Sequence, residues 1–179
     1  PAERYGRSMV ERAQIGMCFA REYAASEIAG YARRVEAAGV EQLWIIEDCF
    51  FTAGVSLAAT ALAVTDRLTV GIGILPAVAR SPAVTAMELA TLANLAPGRL
   101  IAGIGHGVQE WMEQMGSRSS SPLTTLDEAI MIVRGLLHGE TVTFDLEAPS
   151  GLTITGLAPV TLAAGETKTL TLTFTTAAS

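Results

Sequence analysis

His106 stands between Gly105 and Gly107 at the end of one apolar run, and Glu47, Asp48 and Cys49 close another. An imidazole on a glycine-flanked turn can donate to a carbonyl or move a proton as general acid or base, or be spent on a hydrogen bond within its own loop. The neighbouring carboxylates can bond the polar edge of a ligand, or cap the helix that follows them. Arg80, in A-R-S-P, has a fork that grips phosphate or carboxylate, although its loop position favours an ordinary surface residue. Trp111 and Met112 follow His106 at helical spacing and are expected to pack beneath its loop rather than stack on a ligand. The second histidine, His138, falls in the last turn of a helix, where it suits the dipole. The two histidines are far apart in the pattern, and Cys18 and Cys49 lack ligand spacing, so no metal site is expected.

The elements that must position these residues alternate in period. Q-I-G-M-C-F-A at 14–20 reads as a buried strand, and a helix capped by Ser26 follows to about Ala38, ended by Gly39. The pattern repeats three times: strand 43–46 with helix 55–64, strand 68–75 with helix 82–95, and strand 100–104 with helix 123–138. Ser81 and Pro82 supply a cap and a first-turn proline for the third helix. Four successive strand–helix units with nearly continuous apolar strands predict parallel pairing under a layer of helices. Half of an α/β barrel and an open doubly wound sheet both fit. The first strand is followed by F-A-R-E-Y, without the G-x-G-x-x-G turn of a dinucleotide fold. Glycine clusters instead at strands three and four, in V-G-I-G-I-L-P and A-G-I-G-H-G.

At these residues the sequence resembles the luciferase-like monooxygenase superfamily of flavin- and deazaflavin (coenzyme F420)-dependent oxidoreductases. The matching stretches are L-W-I-I-E-D-C-F-F-T-A-G at 43–54, V-G-I-G-I-L-P-A-V-A-R-S-P at 70–82 and T-A-M-E-L-A-T-L-A-N-L-A-P-G-R at 85–99. G-I-G-H-G-V-Q-E-W-M-E-Q-M-G at 103–116 and S-P-L-T-T-L-D-E at 121–128 continue the series, so the similarity runs over about 14–144.

The resemblance implies a (β/α) TIM-type barrel, here about four β/α units, with FMN or coenzyme F420 at the C-terminal mouth of the strands. It implies a backbone bulge after strand three, often with a non-prolyl cis peptide, that props the ring; Gly73 and Ile74 hold that place, followed by Leu75 and Pro76. Gly suits a surface that a flat ring must approach closely, although Gly71 and Gly73 also suit plain helix-on-strand packing. Relatives in the deazaflavin branch often carry an acid–His pair after strand two. Asp48 matches the acid and Cys49 replaces the His, a departure from the proton-relay pattern. The implied site is therefore His106 and Asp48 for chemistry, with Gly73, Ile74, Glu47 and Gly107 around the cofactor. The implied activity is hydride or electron transfer between a reduced flavin or deazaflavin and a small organic substrate, with O2 as cosubstrate in the monooxygenase branch.

Composition bounds this reading. The chain has 179 residues, and a closed barrel takes about 250. It carries 12 basic and 18 acidic residues, net −6, with no basic run, which speaks against a nucleic-acid partner. Mean hydropathy is +0.39, yet the apolar runs are too short to span a bilayer. No signal-peptide pattern opens the chain, and two unpaired cysteines suit a reduced, cytoplasmic setting.

From Ser150 onward the vocabulary changes to nine Thr, one Glu, one Lys and no Arg, which places a boundary near Pro149. The expected division is a half-barrel over 1–149 and a Thr-rich β-hairpin tail over 150–179, with Thr169–Thr175 alternating Thr with Leu and Phe after an A-A-G-E turn. A half-barrel leaves strands one and four as open edges, and open parallel edges favour self-association or cover by the Thr-rich strands. A truncated oxidoreductase of limited competence alone is thus the expectation. The alternative is a non-catalytic structural or interaction protein that uses the barrel half as a scaffold and the Thr-rich strands for pairing.

Overall fold

The computed structural model describes residues 13–140 and two short strands at 142–144 and 160–162. Strands β1 (Gly16–Phe19), β2 (Gln42–Ile45), β3 (Thr69–Pro76) and β4 (Leu100–Gly105) form one parallel sheet in the order β1-β2-β3-β4. Helices α1 (Ile28–Ala37), α2 (Gly54–Ala63) and α3 (Pro82–Leu95) make the crossovers, and α4 (Gln109–Gln114) and α5 (Pro122–Leu137) follow β4. A doubly wound sheet reverses its strand order at a switch point. Here the order runs one way, which is the winding of a barrel wall.

Side-chain parity explains why the sheet has one covered face. Phe19, Leu43, Ile45, Val70 and Ile72 point to one side and join Ala32, Val35, Ala58, Ala61, Leu89, Leu92 and Val133 of the helices in a single buried core. Residues of the opposite parity are Gly16, Cys18, Gln42, Trp44, Gly71 and Ile101, and they line the face that no such core covers. At the two outer strands Met17 is 44% exposed and Ile101 37%.

The observed elements lie within about two residues of the expected ones, with differences at the caps. Ser26 lies in a 3-10 turn, Ala25–Glu27, and α1 begins at Ile28 with no side-chain cap. Ser81 likewise caps with no side-chain bond; its carbonyl instead accepts from Thr85 Oγ1 at 3.2 Å, and Pro82 takes the first turn as expected. Strand β5 (Val142–Phe144) pairs antiparallel with β6 (Val160–Leu162), a ladder that crosses the boundary expected near 149. The predicted hairpin at 169–175 lies outside the described residues. No helix among the described residues is long and apolar enough to cross a membrane.

The turn that feeds β3 is held from two sides. The Glu36 carboxylate accepts the backbone N–H groups of Asp66, Arg67 and Leu68 at 3.0, 2.7 and 2.9 Å. Arg99 donates to the Leu62 and Leu68 carbonyls and to Thr65 Oγ1 at 3.1–3.3 Å, closing the orphan end of α2. The Arg67 amide, foremost among these donors, holds the Glu36 carboxyl below the usual carboxylate range. A carboxyl held low stabilises the fold above its unfolded-state pKa and loses that contribution as pH falls through the folded value. Glu36→Gln is therefore expected to cost about 1–2 kcal/mol at neutral pH. The gap from the parent should close below the ordinary carboxylate range, as urea melts at several pH values will show.

Candidate functional site

The C-terminal ends of β2, β3 and β4 open into one cleft of about 330 Å³. Glu47, Asp48, Gly73, Ile74, His106 and Gly107 all line it, so six residues expected from three separate segments meet in one place. Pro76, Gly105, Val108, Trp111 and Leu126 complete the wall. Such a volume is at the lower end of small-molecule sites.

Strand β3 supplies the back of the cleft. Its pairing with β4 shifts between Ile72 and Leu75, and the Gly73–Ile74 peptide in that irregularity is cis. Ile74 leaves the core and lies across β4, where a Cβ on Gly105 would come within 2.9 Å of Ile74 Cδ1. Gly107 sits at φ +74°, and a Cβ there would stand 3.1 Å from Pro76 Cβ and 3.0 Å from Met112 Sδ. Both the backbone angle and the space call for glycine. Met112 is fully buried under this loop, as expected. Trp111, one residue earlier, faces the cleft, because consecutive helical residues point about 100° apart.

The acids at the mouth are each engaged. Glu47 Oε2 accepts the Gly54 N–H at 2.7 Å, capping α2, and Oε1 pairs with Arg80 Nη2 at 2.8 Å. Its side chain is only 9% exposed, so it is a buried cap rather than a solvated one. Arg80 departs from the expected surface residue: it is 21% exposed, spans Glu47 and Glu88, and keeps a buried Nη1 with no hydrogen-bond partner. Asp48 Oδ2 takes Arg21 Nη1 at 2.9 Å, and the Arg21 guanidinium also stacks over Phe51 at 5.2 Å. That pairing, with Glu22 behind it, holds the Arg21 pKa above its ordinary value.

His106 Nδ1 lies 2.6 Å from the Gly107 carbonyl oxygen. A carbonyl has no hydrogen to give, so Nδ1 carries the proton and Nε2 is the position left to accept or donate. The loop bond weighed from the sequence is thus present, and it leaves Nε2 outside it. Gln109 Nε2 steadies the same turn through the His106 carbonyl at 3.3 Å. Cys49 and Cys18 are both free thiols. Arg21, Gln109 and Leu126 are site residues that composition and spacing did not single out.

A parallel sheet wound one way, with a cleft at the strand C-termini, is the arrangement of a barrel-type α/β protein. Sequence comparison then supplies the family: a family model described as luciferase-like monooxygenase matches residues 9–178, and the chain belongs to that family. The match extends beyond the 14–144 read from motifs and continues past 149.

The 5,10-methylenetetrahydromethanopterin reductase of Methanolobus tindarius is 36% identical over 134 residues, covering 72% of this chain and 41% of the relative. That of Archaeoglobus fulgidus is 30% identical over 135 residues, covering 75% and 40%. Among solved structures, the coenzyme F420-dependent tetrahydromethanopterin reductase from Methanopyrus kandleri aligns with TM-score 0.62 and 24% identity over 71% of this chain and 41% of that one. The FMN-bound oxygenating constituent of 3,6-diketocamphane monooxygenase from Pseudomonas putida aligns with TM-score 0.68 and 17% identity over 75% and 42%. These structural likenesses show the shared fold. The chain spans about two fifths of the length of the curated relatives it matches, the extent expected of an N-terminal half.

The Cys49 thiol is pushed up from its ordinary value, first by burial and then by the Glu47 and Asp48 carboxylates. Less thiolate forms at a given pH, and the thiolate is the nucleophile. Alkylation of Cys49 by iodoacetamide at pH 8, followed by peptide mass spectrometry, is expected to run slower than that of free cysteine. A rate equal to the free thiol would contradict this environment.

Proposed function

We propose that the chain forms the cofactor-bearing half of a luciferase-like oxidoreductase that uses FMN or coenzyme F420 to transfer hydride or electrons to or from a small organic substrate. The observation that supports it is the convergence of Glu47, Asp48, Gly73, Ile74, His106 and Gly107 on one cleft at the strand C-termini.

The residues present suit a flat ring. Gly73, Gly105 and Gly107 contribute backbone to the wall, and Ile74 and Trp111 offer apolar surfaces. When bound, the flavin or deazaflavin supplies the redox chemistry, and the protein orients and desolvates it. His106 Nε2 is the proton donor or acceptor facing the ring or substrate, since Nδ1 is held by Gly107. Glu47, with one oxygen capping α2 and the other on Arg80, shapes the wall. Asp48 shares its charge with Arg21 at the rim, where it orients polar edges. Family membership disfavours the scaffold-only alternative.

FMN and F420 titrated separately into the full chain are expected to lose fluorescence saturably, and His106→Ala to keep binding while lowering any turnover by about 10²-fold or more. Absence of binding at high micromolar cofactor overturns the reading for this chain. Turnover that needs air identifies the monooxygenase branch, and anaerobic turnover the reductase branch.

Self-association belongs to the same reading, as does the division into 1–149 and 150–179. Among the described residues β1 and β4 each lack a neighbour on their outer side. Sedimentation of the full chain is expected to show concentration-dependent dimers or larger species. A well-folded strict monomer with 150–179 deleted would count against both self-association and cover of an edge by the Thr-rich strands.

A further inference from the structure

Trp44 stands on the face of the sheet away from the helical core, and four glycines on three strands shape the space around it and its neighbour Ile74. An added Cβ on Gly71 would lie 2.5 Å from Trp44 Cε3, one on Gly16 2.9 Å from Cδ1, and one on Gly73 3.3 Å from Cε3. The indole thus occupies a slot that exists because those positions have no side chain. Its Nε1–H donates to Gln42 Oε1 at 3.0 Å, which sets the ring's rotation in the slot. On the other side, a Cβ on Gly103 would lie 3.1 Å from Ile74 Cγ2. The Gly73–Ile74 segment is therefore wedged: Trp44 of β2 lies against Gly73, and Ile74 is seated on the glycines of β4.

We propose that Trp44 is a positioning residue for the cleft, its indole backing the Gly73–Ile74 segment and so fixing where that backbone stands against a bound ring. The proposal rests on the cofactor reading given above for the second of its two readouts. Deeper packing gives it physical content. The segment leaves the regular β3–β4 ladder between Ile72 and Leu75, so regular pairing does not fix its position there. A rigid bicycle in van der Waals contact does. A ring site needs its supporting backbone held to a fraction of an ångström.

The test compares Trp44→Ala, Trp44→Phe, Gly71→Ala and the double variant in the full chain. Hydrogen exchange without cofactor is the first readout. Trp44→Ala should speed exchange of amides 72–75 about tenfold, with the amides of α2 and α3 unchanged. Gly71→Ala should do the same, because its Cβ must displace the indole. The double variant should be no worse than Trp44→Ala, and Trp44→Phe should recover most of the protection. The second readout is affinity: Trp44→Ala and Gly71→Ala should weaken FMN or F420 binding about tenfold, and Trp44→Phe about twofold.

Unchanged exchange at 72–75 in both Trp44→Ala and Gly71→Ala overturns the proposal, as does faster exchange spread evenly over the whole sheet. Local loosening with cofactor affinity intact also overturns it, by reducing Trp44 to a packing residue. If the parent binds neither cofactor, it is the reading under Proposed function that fails, and the exchange pattern alone then decides whether Trp44 holds the segment.

Discussion

The phase of the strands is the constraint on which the structure depends. Leu43, Ile45, Val70 and Ile72 must all face the helices, and a slip of one residue in any strand would turn its apolar set to the wrong side. Burying four such side chains contributes on the order of 1.5–3 kcal/mol each, so the phase is firmly set. Everything on the other parity follows from it. Trp44, Gly71 and Ile101 fall on the opposite face, and Glu47, Asp48 and His106 emerge just beyond the strand ends at the mouth. The Glu36 and Arg99 clasps on the turn before β3 fix where that strand starts, and so where its irregular segment falls.

The electrostatics of the mouth narrow the chemistry further. Two carboxylates face a small cleft, and each is matched by an arginine from a neighbouring loop: Glu47 by Arg80, Asp48 by Arg21. The pairs differ in kind. Glu47 is buried, its two oxygens are both taken, and removing Arg80 would leave a charge in low dielectric. Arg21 and Asp48 meet nearer to solvent, where an ion pair contributes little to stability and can rearrange. The inner acid is thus structural and the outer one adjustable. His106 has one ring nitrogen tied to its own loop and the other outside that bond.

Much of this was legible in the sequence. Period and punctuation placed four strand–helix units, because apolar runs bounded by Gly, Pro and Ser are read by local rules that the fold obeys. The winding direction was not legible, since a barrel wall and a doubly wound sheet share the same local pattern and differ only in which side each new strand joins. Six site residues could be named because the ends of parallel strands meet at one edge, whichever order they take. Arg80 was read as a surface residue, and Arg21 was not singled out, for the opposite reason: an arginine in a loop looks the same in sequence whether it meets water or a carboxylate 2.8 Å away. Trp44 was invisible as a site residue. Its significance lies in the absence of side chains at Gly16, Gly71 and Gly73, and only the register β1-β2-β3 brings those absences together.

Cys49 shows how such a site can keep its geometry while its proton inventory changes. The resemblance places a histidine beside the acid, a group that titrates near neutrality and shuttles protons. Cys49 is a thiol that burial and then the Glu47 and Asp48 carboxylates push towards the neutral form, against smaller opposing effects of a backbone hydrogen bond and Arg80. The Arg21–Asp48 pair forms without it, so the rim retains its shape. On the β4 side, His106 stands on a turn whose φ of +74° at Gly107 suits glycine. The loops after β2 and β4, with β3 between them, thus bring a carboxylate, Asp48, and an imidazole, His106, to the same cleft.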